Sequence, residues 1–167
     1  FKMPKIVDVD PSQLCQPQFV CTPKIRTFLG YTRRVLRLHD GKTLAVMTYS
    51  NTGVGSWLFL IDSETLDCRR YDIPNADRAS HSAALGSDGN IYIMPYLTNR
   101  AYKFDVERGS FSRIDVALPA GEYTWDAFGA DNGKIYFGTY PNACFGEYDI
   151  KSGTCRIIEH VTDNASY

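Results

Sequence analysis

The chain has no long apolar run: its longest stretches, such as "WLFLI" at 57–61, fall far short of what a membrane-spanning helix requires. It has no excess of charge either. Eighteen basic residues against nineteen acidic ones leave a net charge of −1, without the footprint expected for nucleic acid or an anionic membrane. The first residues, "FKMPKIVDVD", lack the apolar centre of a secretory signal, and nothing in the sequence assigns a compartment. The five cysteines, at 15, 21, 68, 144 and 155, have no CxxC spacing and no matching histidines, so no metal is expected. Glycine-rich phosphate loops, nucleophile elbows and HExxH motifs are missing too, and no cofactor is implied. No segment sustains a helical period over three turns.

What is present is a repeat. "KIYFGTYPNACFGEYDIKSGTC" (134–155) is echoed by "NIYIMPYLTNRAYKFDVERGSF" (90–111) and, more loosely, by "TLAVMTYSNTGVGSWLFLIDSETLDC" (43–68). The register is set by Gly41, Gly89 and Gly133 before one strand, Tyr49, Tyr96 and Tyr140 at its end, and Asp62, Asp105 and Asp149 closing the next. The Asp spacings are 43 and 44. Short strands and turn residues at a period in the forties predict propeller blades of four strands, an all-β fold. The third copy reads as strand A "DAFGA", B "KIYFGTY", C "CFGEYD" and D "TCRII". The A-to-B turns end in glycine. In the C-to-D turns an Asp carboxylate faces backbone N–H groups, and Gly109 and Gly153 take the left-handed position that Leu66 holds in the first copy.

Three blades are expected at about 32–75, 80–118 and 124–160, after a proline-rich leader or part of a preceding blade over 1–31. "IRTFLGY" is read as an extra strand before "RVLRL". Because closed propellers have about four to eight blades, a longer chain or a second copy is expected to complete the ring, the longer chain being preferred. Cys68, Phe111 and Cys155 each lie six residues after a repeat Asp and are read as apolar filling of strand D; Cys15 and Cys21 are near enough to pair if oxidised. Asn164-Ala165-Ser166 is a formal glycosylation sequon.

The residue eight before each repeat glycine is Arg33, His81 or Trp125, so one position carries three different functional side chains. Arg34, Ser82 and Asp126 follow. The B-to-C side contributes Tyr49, Tyr96 and Tyr140, then Asn51, Asn99 and Asn142. Such a set suits a glycan or another polar ligand: rings stack on sugar faces, amides pair with hydroxyls, and Arg clamps carboxylates. The same residues have structural readings: tyrosines as blade packing, Asn as turn formers, His81 as a histidine bonded to backbone, Trp125 as packing.

"SDGNIYIMPYLTNRAYKFDVERGSFSRI" and "DNGKIYFGTYPNACFGEYDIKSGTCRII" resemble blades of the YVTN, NHL and streptogramin lyase-like propeller superfamily, over roughly residues 32–160. That resemblance implies the fold and leaves function open, since members include lyases, lactonases and binding modules. Two functions follow as expectations. One is a binding propeller for a glycan or protein partner. The other is a polysaccharide lyase acting on uronic acid polymers, in which Arg33 neutralises the carboxylate, His81 abstracts the proton and Tyr96 protonates the leaving oxygen, with Arg33 or Arg34 lowering the tyrosine's pKa.

Overall fold

The computed structural model describes residues 30–50, 55–75, 82–96 and 100–158; the expected leader, apart from Gly30 and Tyr31, lies outside them. Twelve strands among the described residues form three separate four-stranded antiparallel sheets, each a simple meander. Sheet 1 holds β1 (Gly30–Arg37), β2 (Thr43–Ser50), β3 (Ser56–Asp62) and β4 (Cys68–Asp72). Sheet 2 holds β5 (Ala83–Leu85), β6 (Ile91–Ile93), β7 (Ala101–Asp105) and β8 (Ser110–Ile114). Sheet 3 holds β9 (Tyr123–Ala130), β10 (Lys134–Tyr140), β11 (Phe145–Asp149) and β12 (Thr154–Ile158). The architecture is all-β, made of propeller blades.

Turn chemistry builds each sheet as the spacing predicts. Gly41, Gly89 and Gly133 take φ of 75°, 78° and 80°, which a side chain would disfavour. In the C-to-D turns, Asp62 Oδ1 accepts the Glu64 and Thr65 N–H groups at 2.9 and 3.0 Å, Asp105 accepts Arg108 N–H at 2.9 Å, and Asp149 accepts Ser152 N–H at 2.8 Å. These bonds hold the Asp62 and Asp149 carboxyls below the usual carboxylate range.

Two cores lie between the sheets. Met47 and Leu58 of sheet 1 meet Ile91, Ile93 and Phe104 of sheet 2. Tyr92, Met94 and Ala101 on the opposite face of sheet 2 meet Ile135, Phe137 and Tyr148 of sheet 3. The middle sheet is therefore buried on both faces and each outer sheet on one.

Two expectations change. "IRTFLGY" is no separate strand at its described end, because Gly30 and Tyr31 run straight into β1 and pair with Ser50 and Tyr49. Cys68 fills nothing: it is exposed, whereas Phe111 and Cys155 at the matching positions pack against the cores. Position explains the difference. Cys68 pairs with Ile61 on the face of sheet 1 turned away from sheet 2, while burial pushes the Cys155 thiol up.

Candidate functional site

The position shared by Arg33 and Trp125 has a backbone peculiarity. Along β1, Thr32 pairs with Thr48 and Arg34 with Met47, leaving Arg33 as an unpaired extra residue. Along β9, Thr124 pairs with Thr139 and Asp126 with Gly138, leaving Trp125 extra in the same way. Both are β-bulges, one residue opposite none. A bulge breaks the alternation of a strand, so neighbours that would point to opposite faces can share one. Trp125 and Asp126 accordingly line the same cleft, both exposed.

That cleft, about 750 Å³, lies at the start of β9 and the end of β10, with Tyr123, Tyr140, Pro141 and Phe145 among its walls. Its aromatics touch in sequence. Tyr96, at the end of sheet 2, meets Tyr123 edge-on with ring centroids 4.9 Å apart; Tyr123 lies 5.3 Å from Tyr140, and Tyr140 lies 6.0 Å from Trp125. Trp125 is 55% exposed and Tyr140 36%. Desolvation, with smaller contributions from Tyr140 and the Glu122 carboxylate, pushes the Tyr123 hydroxyl above its ordinary value.

Glu122, in the linker before β9, fixes the loop that carries Tyr140. It is 7% exposed. Its carboxylate accepts the Thr139 hydroxyl, and also the Asn142 backbone N–H at 2.9 Å and side-chain amide at 2.6 Å. Thr139 N–H in turn donates to the Cys144 carbonyl at 3.0 Å, closing the loop across residues 139–144. The Asn142 amide thus serves the loop, where a turn-forming Asn was one of the two expectations.

Arg34 reaches across from sheet 1. Its Nη1 lies 3.1 Å from Asp126 Oδ1, and its Nη2 donates to the Ala127 carbonyl at 3.0 Å. Sheets 1 and 3 are thereby linked past the innermost strand of sheet 2. With Asp126 64% exposed, the ion pair contributes about 0–1 kcal/mol; its larger effect is to put a positive group beside the cleft. Of the residues expected at the site, Tyr96, Trp125, Asp126 and Tyr140 come together, and Arg34 joins them through Asp126. Arg33 and Tyr49 are described by backbone alone, and Asn51, His81 and Asn99 lie outside the described residues. Sequence reasoning missed Glu122 and Tyr123; Glu122 does not recur at its repeat position, whereas Tyr31, ten before Gly41 as Tyr123 is ten before Gly133, was a signal the count could have used. Among the described residues no group of three His, Cys, Asp or Glu side chains is placed to hold a metal ion.

No protein-family model matches the chain, and no curated protein matches it by sequence. Solved structures do. Virginiamycin B lyase from Staphylococcus aureus superposes with a TM-score of 0.60 at 16% identity, over 77% of this chain and 41% of that one; the inactive variant of that enzyme with quinupristin matches equally. An auxiliary nutrient binding protein from Bacteroides thetaiotaomicron superposes with a TM-score of 0.60 at 11% identity, over 80% of this chain and 33% of that one. The likeness establishes the propeller fold, and the chain spans less than half the length of these neighbours.

Proposed function

We propose that the chain is a binding module of propeller type whose ligand is a glycan or a similar polyhydroxylated molecule, held against Trp125 and Tyr140. The observation that supports this reading is the bulge at Trp125. It sets an indole more than half exposed beside a tyrosine about a third exposed and a carboxylate–guanidinium pair, along one open cleft. Exposed aromatics of this kind cost solvation unless something covers them, and sugar rings present the C–H faces and hydroxyls that such a surface matches. Glu122 supports the site by holding the loop of Tyr140.

The test is a fluorescence and calorimetric titration with neutral and uronate oligosaccharides. Trp125→Ala should weaken binding by about tenfold, the equivalent of ~1.4 kcal/mol and near the upper range for one aromatic contact. No response to any oligosaccharide, or unchanged affinity in Trp125→Ala, would overturn the reading.

One structural neighbour is a lyase and another a nutrient binding protein, so the fold supports either class. The lyase reading needs Arg33, His81 and Tyr96 around one substrate. Tyr96 alone among them has a described side chain, and it packs edge-on against Tyr123. Release of unsaturated products from a uronate polymer, lost in His81→Ala, would favour elimination over binding.

A further inference from the structure

The three sheets occupy one repeat, so the same position can be followed from sheet to sheet. On the face turned toward the next sheet, the residue four before each repeat Asp is Leu58, Ala101 or Phe145. Leu58 and Ala101 are each 1% exposed, but Phe145 is 39% exposed. Five before each repeat glycine stand Leu36, Ala84 and Phe128. Leu36 packs on the first core and Ala84 is buried in the second, whereas Phe128 is 64% exposed. Nine after each Asp, Tyr71 packs on the first core and Ile114 on the second, while Ile158 is 45% exposed. Tyr136 stacks on Phe145 with centroids 5.7 Å apart, beside the Lys134–Glu147 ion pair on the same face. Where sheets 1 and 2 each seat a neighbour, sheet 3 offers the same seat to solvent.

The complementary surface is also in the chain. The face that seats against the preceding sheet is built in sheet 2 from Ala83, Ile93 and Phe104, and in sheet 3 from Ala127, Phe137 and Tyr148, all at most 4% exposed. The matching residues of sheet 1 are Val35, Val46 and Ile61. Val35 is 54% exposed and the other two are half-buried. Cys68 sits on that face too, which is why it is exposed while Phe111 and Cys155 are packed.

We infer that the open face of sheet 3 seats the open face of sheet 1 from a second copy of this chain. Both surfaces that this contact needs are present among the described residues. Two copies of the three described sheets make six, within the about four to eight at which rings close. Two copies then meet through two identical head-to-tail contacts, which close and leave no free end. The candidate cleft shares Asp126, Gly138 and Phe145 with the open face of sheet 3, so the partner's first sheet forms its missing side.

Sedimentation equilibrium of the chain tests the inference. A dimer is expected, with no trimer or open series. Phe128→Glu and Val35→Glu, each at an exposed position, should both give monomers of unchanged circular dichroism, and mixing the two should restore a dimer through the one contact left intact. A monomeric parent chain would overturn the inference. So would a dimer indifferent to Val35→Glu, which would mean that sheet 3 pairs with itself. Mass reads this inference and oligosaccharide titration reads the proposed function, so either can fail while the other holds.

Discussion

The two faces of sheet 3 both carry aromatic side chains and have opposite fates. One presents Ile135, Phe137 and Tyr148 to sheet 2 and is buried to within 4%; the other presents Phe128, Tyr136 and Phe145, with Glu147 and Lys134 among them, and stays partly in water. Aromatic content alone therefore does not determine burial here. What decides is whether a neighbouring sheet supplies the other half of the contact.

Two glycines make that contrast sharp, and they carry the largest expected effect. Gly129 faces sheet 2 so closely that a Cβ would lie 1.8 Å from the Leu85 carbonyl oxygen. Backbone cannot swing aside as a side chain can, so Gly129→Val should cost about 3 kcal/mol or more and separate sheet 3 from sheet 2. Gly138 faces the opposite way, where a Cβ meets nothing within 4 Å. Valine there gains strand propensity and should stabilise the sheet by about 0.5–1 kcal/mol, while intruding on the cleft and weakening any ligand. Chemical denaturation of both variants measures the contrast; equal losses would mean that the two faces are packed alike.

How much of this was legible in sequence follows from the same contrast. Strands B and C of the third blade were readable because turn glycines and the repeat Asp bracket them: "KIYFGTY" is β10 residue for residue. Strand A was read short, since β9 begins at Tyr123, three residues before "DAFGA". The bulge explains part of this miss. An extra residue shifts the alternation by one, so the segment around Trp125 loses the period-two pattern by which a strand is recognised. The count back from the glycines still paired Arg33 with Trp125, because the bulge recurs in β1 and β9 at the same place. Which face packs was legible only in part: Lys134, Glu147 and Arg156 mark the open face of sheet 3, but Phe128, Tyr136 and Phe145 on the same face read as apolar.

A smaller effect separates the sheets by charge. In sheet 2, Asp88 accepts the Tyr92 hydroxyl at 2.9 Å and the Lys103 ammonium at 2.9 Å, bracing the face that meets sheet 3. Burial acts to raise its pKa but is outweighed by the Asn90 amide, Lys103 and Tyr92, which bring it from 3.8 to about 2. In sheet 3 the corresponding residue is Asn132, whose amide donates to Tyr136 at 3.0 Å. A carboxyl with a depressed folded pKa stabilises above its unfolded value and loses that contribution as pH falls through its folded one. Asp88 should therefore contribute about 1 kcal/mol, allowing for solvent screening, that disappears between about pH 4 and pH 2. Asp88→Asn should flatten that limb of the stability curve, whereas Asn132→Ser should leave it unchanged. A limb equally steep in Asp88→Asn would assign acid sensitivity to the turn carboxylates Asp40, Asp62 and Asp149 instead.

The smallest expected effect compares one turn in three copies. Leu66, Gly109 and Gly153 have φ of 63°, 63° and 70°, and each N–H donates to the carbonyl of its repeat Asp at 2.8–2.9 Å. The backbone is the same and the residue is not. A left-handed conformation costs a non-glycine residue about 1–2 kcal/mol, and the Leu66 side chain, 74% exposed, recovers little of this by burial. Glycine removes the strain but widens the unfolded ensemble, which offsets part of the gain. Leu66→Gly should then stabilise by about 0.5 kcal/mol, visible as a rise of roughly 1–2 °C in Tm. The reverse changes should rank by surroundings: a Cβ at Gly109 would lie 3.0 Å from the Tyr71 ring, and one at Gly153 only within ordinary contact, 3.8 Å, of the Tyr148 hydroxyl. Gly109→Leu should accordingly cost more than Gly153→Leu, because Tyr71 already packs on the core between sheets 1 and 2 and has little room to yield. If the two cost the same, φ alone sets the penalty and the packed neighbour contributes nothing.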